Sequence, residues 1–182
     1  MIEAPQEEDV SLISEEEATR QDMIAALSQD RGGGLGIAGA HRTGKTTLCE
    51  HMAKGNPGIP FLKTSTREIA AKFDFDVDAS HDFEHRMAFQ EYVLLYHIGL
   101  WEGQTGTFWS DRTPLDFMAY MMADVPNGTI DPFMDRRIEA YINRCIEVTH
   151  KHFMTTIIVQ PGIPYVQVPG APALNLAYQE KI

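Results

Sequence analysis

Leu35-Gly36-Ile37-Ala38-Gly39-Ala40-His41-Arg42-Thr43-Gly44-Lys45-Thr46 is the stretch on which the fold turns. Its first four residues make a short apolar run flanked by glycine, which suits a buried strand, and residues 45–54 have helical composition. Between them, residues 39–46 match G-x-x-x-x-G-K-[ST] in full, in the strand-to-helix setting that gives the pattern its meaning. Glycines at both ends let the backbone wrap closely around a phosphate, so that successive amides and the positive helix end point at the anion. Lys45 is expected to reach the β- and γ-phosphates of ATP or GTP, and Thr46 to offer its hydroxyl to Mg²⁺. The phosphate-binding set is then Gly39, Ala40, His41, Arg42, Thr43, Gly44, Lys45, Thr46 and Thr47. Arg42 either adds charge near the phosphates or faces solvent.

Outward from this loop the strand-then-helix pattern repeats. Residues 59–63 read as a second strand between Pro57-Gly58 and Thr64-Ser65-Thr66, and Thr66 can cap a helix through Lys72. Residues 82–102 suit a long, largely buried helix stopped by Gly103. Residues 105–110 form a third strand, Thr113 or Pro114 starts a helix to about Ala123, and Asp131-Pro132 starts another to about His152. Residues 155–160 make a fourth strand, ended by Pro161-Gly162. Alternating strands and helices indicate a three-layer α/β domain, a parallel sheet covered by helices on both faces. Before the core, residues 1–31 form an acidic arm with a helix over 14–28 opened by the capping box Ser14-Glu15-Glu16-Glu17, and residues 32–182 form the main domain. The chain closes with a proline-rich loop and a short helix at 174–182.

A length of 182 residues predicts one domain, and 43% apolar with 23% charged residues predicts a globular one. Net charge of −11 argues against strong non-specific nucleic-acid binding, because phosphate backbones repel such a chain at long range. Two cysteines are too few for a disulfide framework, and no apolar run reaches the length of a membrane span, so a cytoplasmic location is expected.

Asp111-Arg112 follows an apolar strand end, where parallel sheets place their ligands. Asp111 can hold Mg²⁺ through water or accept the proton of an attacking hydroxyl, and Arg112 can neutralise charge on the transferred group. Capping the following helix is a further role open to the run Asp111-Arg112-Thr113-Pro114. Arg86 and Gln90 lie four apart on the long helix and share a face. A Gln amide offers a donor and an acceptor together, as the edge of a base requires, and Arg suits a phosphate or a carbonyl. His81 and His85 share that spacing, but the residues between them do not make a zinc motif. His150 and His152 fit a favourable interaction with a helix end, and Met118, Met121 and Met122 read as core.

With residues 39–46, Asp111-Arg112-Thr113-Pro114-Leu115-Asp116, Arg86 and Gln90 in place, the chain resembles the P-loop nucleoside and nucleotide kinases. It looks closest to phage deoxynucleoside-monophosphate-kinase-like proteins and phage kinases of 5-hydroxymethyluracil in DNA. The resemblance spans about residues 35–165 and implies a P-loop NTPase fold, ATP and Mg²⁺ as cofactors, and a nucleoside-type acceptor, free or within DNA. It also implies host cytoplasm as the compartment. Lys45, Asp111 and Arg112 take the catalytic roles, Thr46 and Asp111 the metal, and Arg86 with Gln90 the acceptor. Two departures stand out: Lys63-Thr64-Ser65-Thr66 replaces the acidic base that such kinases carry after the second strand, and no arginine follows Arg144 to close a lid. Arg136, Arg137 or Arg144 would have to serve. A P-loop ATPase or GTPase switch is the alternative, though no apolar run ending in Asp-Glu supplies a second acidic motif and Asp111 is the substitute.

Overall fold

Four strands and five helices follow one another along the described chain: β1 (Gly34–Ala38), α1 (Lys45–Gly55), β2 (Phe61–Leu62), α2 (Thr66–Lys72), α3 (Phe83–Glu102), β3 (Phe108–Ser110), α4 (Pro114–Asp124), α5 (Pro132–His152) and β4 (Phe153–Ile158). The computed structural model describes residues 33–77 and 79–162. The acidic arm, the helix expected over 14–28, the boundary at residue 31 and the closing helix at 174–182 all lie outside the described residues.

The sheet is parallel throughout, in the order β2-β3-β1-β4. From β1 to β2 the chain moves two places in one direction, and from β3 to β4 two places in the other. Right-handed crossovers therefore set α1 on one face and α4 with α5 on the opposite face, which gives the three layers of a P-loop NTPase fold. The alternation of β1 fits this. Gly34 and Gly36 face the α4 and α5 layer, where an added Cβ on Gly36 would lie 2.6 Å from Thr113 Cγ2 and one on Gly34 2.7 Å from the Phe153 ring. Leu35 and Ile37 point the other way and are buried.

Local chemistry accounts for each boundary. Asp82 caps α3, accepting from the His85 amide at 2.8 Å, and Asp131 caps α5, accepting from the Phe133 and Met134 amides at 2.9 and 3.1 Å. Ser65 rather than Thr66 caps α2, one residue earlier than the sequence suggested. Strand β2 is only two residues long because it is an edge strand whose neighbour Pro60 contributes a carbonyl, to the Trp109 amide at 2.8 Å, and has no amide to give. Strand β3 starts at Phe108, after bends at Thr105 and Gly106, later than expected. Strand β4 starts at Phe153, directly off the last residue of α5 and two residues before the expected start.

One apolar core joins α2 through α5 to the sheet, with Met87, Val93, Leu94, Trp101, Phe117, Met121, Tyr141 and Cys145 buried in it. The methionine expectation divides: Met121 is core and Met118 packs against it, whereas Met122 is exposed. Helix α3 runs well beyond the sheet. Its Trp101 ring sits 5.0 Å from Phe153, at the start of β4 and level with Gly34. From Trp101 back to Phe83 is a rise of about 27 Å, while β1 climbs only about 13 Å, so the first turns of α3 overhang the carboxyl edge by about 14 Å. The Arg86–Asp124 and Arg137–Glu91 pairs hold the end of α4 and the start of α5 beside them.

Candidate functional site

Gly39 leaves β1 with φ of +143°, backbone that a side chain rarely adopts, and a Cβ there would lie 2.4 Å from the Val159 carbonyl oxygen. Arg42 is also left-handed, at φ +62°, and Gly44 at φ +90° turns the chain into α1. Thr43 closes the loop from inside, its hydroxyl donating to the Ala40 carbonyl at 3.0 Å. Lys45, only 6% exposed, curls back over this loop and donates to the carbonyls of Gly39 at 2.5 Å and Ala40 at 2.7 Å. Burial lowers the Lys45 ammonium to about 8, helped by Arg112 and opposed by Asp116 and Asp111.

Asp111 stands at the exit of β3, the strand beside β1, and meets the first turn of α1: Thr46 Oγ1 donates to Asp111 Oδ2 at 2.5 Å. The other oxygen, Asp111 Oδ1, is buried without a hydrogen-bond partner. A hydroxyl beside a carboxylate with a free buried oxygen is the hard-oxygen donor set that Mg²⁺ takes, so these two residues fit the metal expected of such a loop. Thus the structure brings Thr46 and Asp111 together across 65 residues of sequence.

Asp116 had no role in the sequence reading, yet it ties the loop to the following helix. Its Oδ1 accepts from the Gly39 amide at 3.0 Å, and its Oδ2 accepts from both the amide and the hydroxyl of Thr113 at 2.8 Å. Burial pushes its carboxyl up, opposed by Lys45, the Gly39 amide and Thr113. The available signal was Thr113-x-x-Asp116, a capping box at the start of α4, which the structure contains in full. Thr113, wholly buried, fills the space that the missing side chain of Gly36 leaves. The capping role considered for the Asp111–Pro114 run therefore falls to Thr113 and leaves Asp111 free for chemistry.

Arg112 is half-buried, its guanidinium 3.4 Å from the Tyr120 hydroxyl. The Tyr120 ring stacks on His41 at 4.7 Å, which seats the exposed middle of the loop on α4. Crowding by protein atoms, then Arg112, Lys45 and Arg42, lowers His41 to about 4. His41 is thus neutral at pH 7.

Arg86 and Gln90 lie on the overhang, apart from the loop. Arg86 pairs with Asp124 at 3.5 Å, and the Gln90 carbonyl accepts from Tyr141 at 3.4 Å. Arg137 forms two bonds to Glu91, at 2.9 and 2.6 Å, and Arg144 lies 3.7 Å from Glu147, so two of the three arginines named for the lid pair with nearby carboxylates. Where an acidic base was missed after the second strand, the structure has Thr64, 2.9 Å from Nε2 of buried His97. His97 Nδ1 lies 2.8 Å from the Val93 carbonyl. Burial lowers His97 to about 4.

Among the described residues no helix is long and apolar enough to cross a membrane. A family model described as an AAA domain matches residues 36–163, from the middle of β1 to just past β4. No curated protein matches the chain. The chain belongs to that AAA-domain family, and its fold and loop are those of a P-loop nucleotide-binding domain.

Proposed function

We propose that this AAA-domain protein is an ATP-dependent phosphotransferase that moves the γ-phosphoryl group to the hydroxyl of a nucleoside-type acceptor. The observation that carries this reading is the overhang: the first turns of α3 extend about 14 Å past the sheet edge, with the end of α4 and the start of α5 tied to them by the Arg86–Asp124 and Arg137–Glu91 pairs. Helices extended in this way can shelter an acceptor, which a hydrolase, whose acceptor is water, does not need. Resemblance to kinases of free nucleotides and of hydroxymethylated bases supports both acceptor classes. Net charge of −11 and the acidic residues Asp74, Asp76, Asp82 and Glu84 at the rim of α3 favour the free acceptor over one held in DNA.

In this mechanism the amides of the 39–47 loop cradle the phosphates, and Lys45 moves its ammonium from the Gly39 and Ala40 carbonyls onto the β- and γ-oxygens. Thr46 and Asp111 would hold Mg²⁺, which when bound neutralises charge on those oxygens. Asp111 offers Oδ1 either to that ion or to the proton of the acceptor hydroxyl as its oxygen bonds to phosphorus and ADP leaves. Arg112, whose charge is felt at Lys45, His41 and Asp116, would stabilise charge on the phosphoryl group in flight. Gln90 reads the acceptor, with Arg86 beside it. The pieces act mainly by position and electrostatics, as phosphoryl transfer requires.

Incubating the protein with Mg²⁺ and γ-labelled ATP, alone and with nucleosides, nucleoside monophosphates, and DNA containing thymine or 5-hydroxymethyluracil, tests this directly. Label is expected on an acceptor. Label released only as free phosphate would instead establish the ATPase switch. Gln90→Ala is expected to raise the acceptor KM severalfold with ATP affinity unchanged, and an unaltered KM would remove Gln90 from the acceptor site.

A further inference from the structure

Thr64 lies two residues beyond Leu62, and Arg112 two beyond Ser110, while Leu62 and Ser110 are register partners in neighbouring strands. Both strands end at that pair, and beyond it the charge of Asp111 is felt at Lys63 and that of Arg112 at His97, so Thr64, between Lys63 and the His97 ring, lies near them at the carboxyl edge, on the side away from β1. That is the side under α3, since His97 of α3 reaches Thr64 directly. An acceptor held between the overhang and the γ-phosphate would lie close to this residue.

The chemistry of the pair is fixed by what lies behind it. A carbonyl only accepts, so His97 Nδ1 carries the imidazole proton and donates it to Val93 at 2.8 Å. Nε2 of the neutral ring is then an acceptor, and the one proton of the Thr64 hydroxyl is committed to it at 2.9 Å. The second ring face is held among Trp101 and Phe117, at 5.6 and 4.7 Å between ring centres, so the imidazole has no room to turn. Thr64 is left half-buried with only lone pairs to present. An ordinary threonine hydroxyl rotates to donate or accept; this one accepts.

Building on the phosphotransferase reading, we propose that Thr64, oriented by His97, is a specificity-determining residue of the acceptor site that takes a hydrogen bond from an O–H or N–H of the acceptor. It selects acceptors that carry a donor at that point, such as a hydroxyl or an imide N–H, over those with a carbonyl or an unprotonated ring nitrogen there. His97 is a positioning residue that acts through Thr64. Buried, and with Nε2 already taken by the Thr64 hydroxyl, His97 has no face for the acceptor's proton, so the pair sets orientation and leaves the proton to Asp111.

The test uses the full chain, Mg²⁺, γ-labelled ATP, and thymidine, thymidine monophosphate and 5-hydroxymethyl-2′-deoxyuridine as acceptor probes, with Thr64→Val and Thr64→Ser variants. Thr64→Val keeps the shape and removes the lone pairs. Its acceptor KM is expected to rise about tenfold, the loss of one hydrogen bond, with the KM for ATP within about twofold of the parent. Thr64→Ser, which restores the hydroxyl, is expected to return the acceptor KM to within about threefold. Thermal melting of both variants reports folding, and ATP binding reports an intact donor site. An unchanged acceptor KM in Thr64→Val, an equal rise in the KM for ATP, or failure of serine to rescue would overturn the inference while the phosphotransferase reading stands. No transfer to any probe by the parent protein, with free phosphate as the only product, would overturn both.

Discussion

The floor of the phosphate loop and the overhanging helices are built from different interactions. On the floor, Gly39, Lys45, Thr46, Asp111, Thr113 and Asp116 interlock through hydrogen bonds of 2.5 to 3.0 Å, nearly all of them partly or fully buried. On the overhang, the polar links include ion pairs in which one partner stays about a third or more exposed: Arg86 with Asp124 and Arg137 with Glu84 and Glu91. A buried hydrogen-bonded set costs much to break, since each group left unpaired keeps its desolvation penalty. A surface pair is worth little and exchanges readily. The loop floor is therefore organised before nucleotide arrives, whereas the overhang can rearrange its charges around what binds.

Four substitutions probe that contrast, in falling order of expected effect. Gly39→Ala places a Cβ against the Val159 carbonyl at a φ that alanine resists, so titration with a fluorescent ATP analogue is expected to show binding lost beyond detection. Retained binding would show that the floor is softer than its geometry implies. Lys45→Ala is expected to cut phosphoryl transfer by at least about 100-fold with the melting profile of a folded protein, as removal of a principal charge stabiliser does. The same residue sets a pH dependence. With Lys45 held to about 8 in the nucleotide-free protein, phosphate binding above that pH must first return a proton, so ATP affinity is expected to fall, by at most about tenfold per pH unit. The Lys45→Ala variant should lose that slope, and an equal slope in both would assign it elsewhere.

Thr113→Ala removes the cap of α4 and two of the bonds to the Asp116–Thr113 box. A loss of about 1–2 kcal/mol in urea unfolding is expected, with weaker ATP binding as the Gly39 amide loosens. Arg137→Ala breaks a two-bond pair on the overhang and is expected to cost below about 1 kcal/mol with ATP affinity unchanged. If Arg137→Ala proved the more damaging of the two, the overhang would be as firmly built as the floor.

Residues 35–46 were enough to place the strand, the turn and the helix, because glycine spacing and apolar periodicity act over a few residues and need no partner from afar. The helix starts at Thr113 and Asp131 were legible for the same reason, whereas Asp82 reads in sequence as part of the helix that it caps. Strand lengths were not, because hydrogen bonding to a neighbour decides them: β2 stops at two residues where, among the described residues, β3 alone pairs with it. The sequence by itself determined the P-loop, the α/β class and the candidates Lys45, Thr46, Asp111 and Arg112. Only the tertiary structure decided that Asp111 meets Thr46 with one oxygen to spare, that Asp116 grips Gly39 from 77 residues away, and that buried His97 fixes the proton of Thr64. Those contacts join residues distant in sequence, and the free energy that selects them comes from burying polar groups together, which no local pattern records.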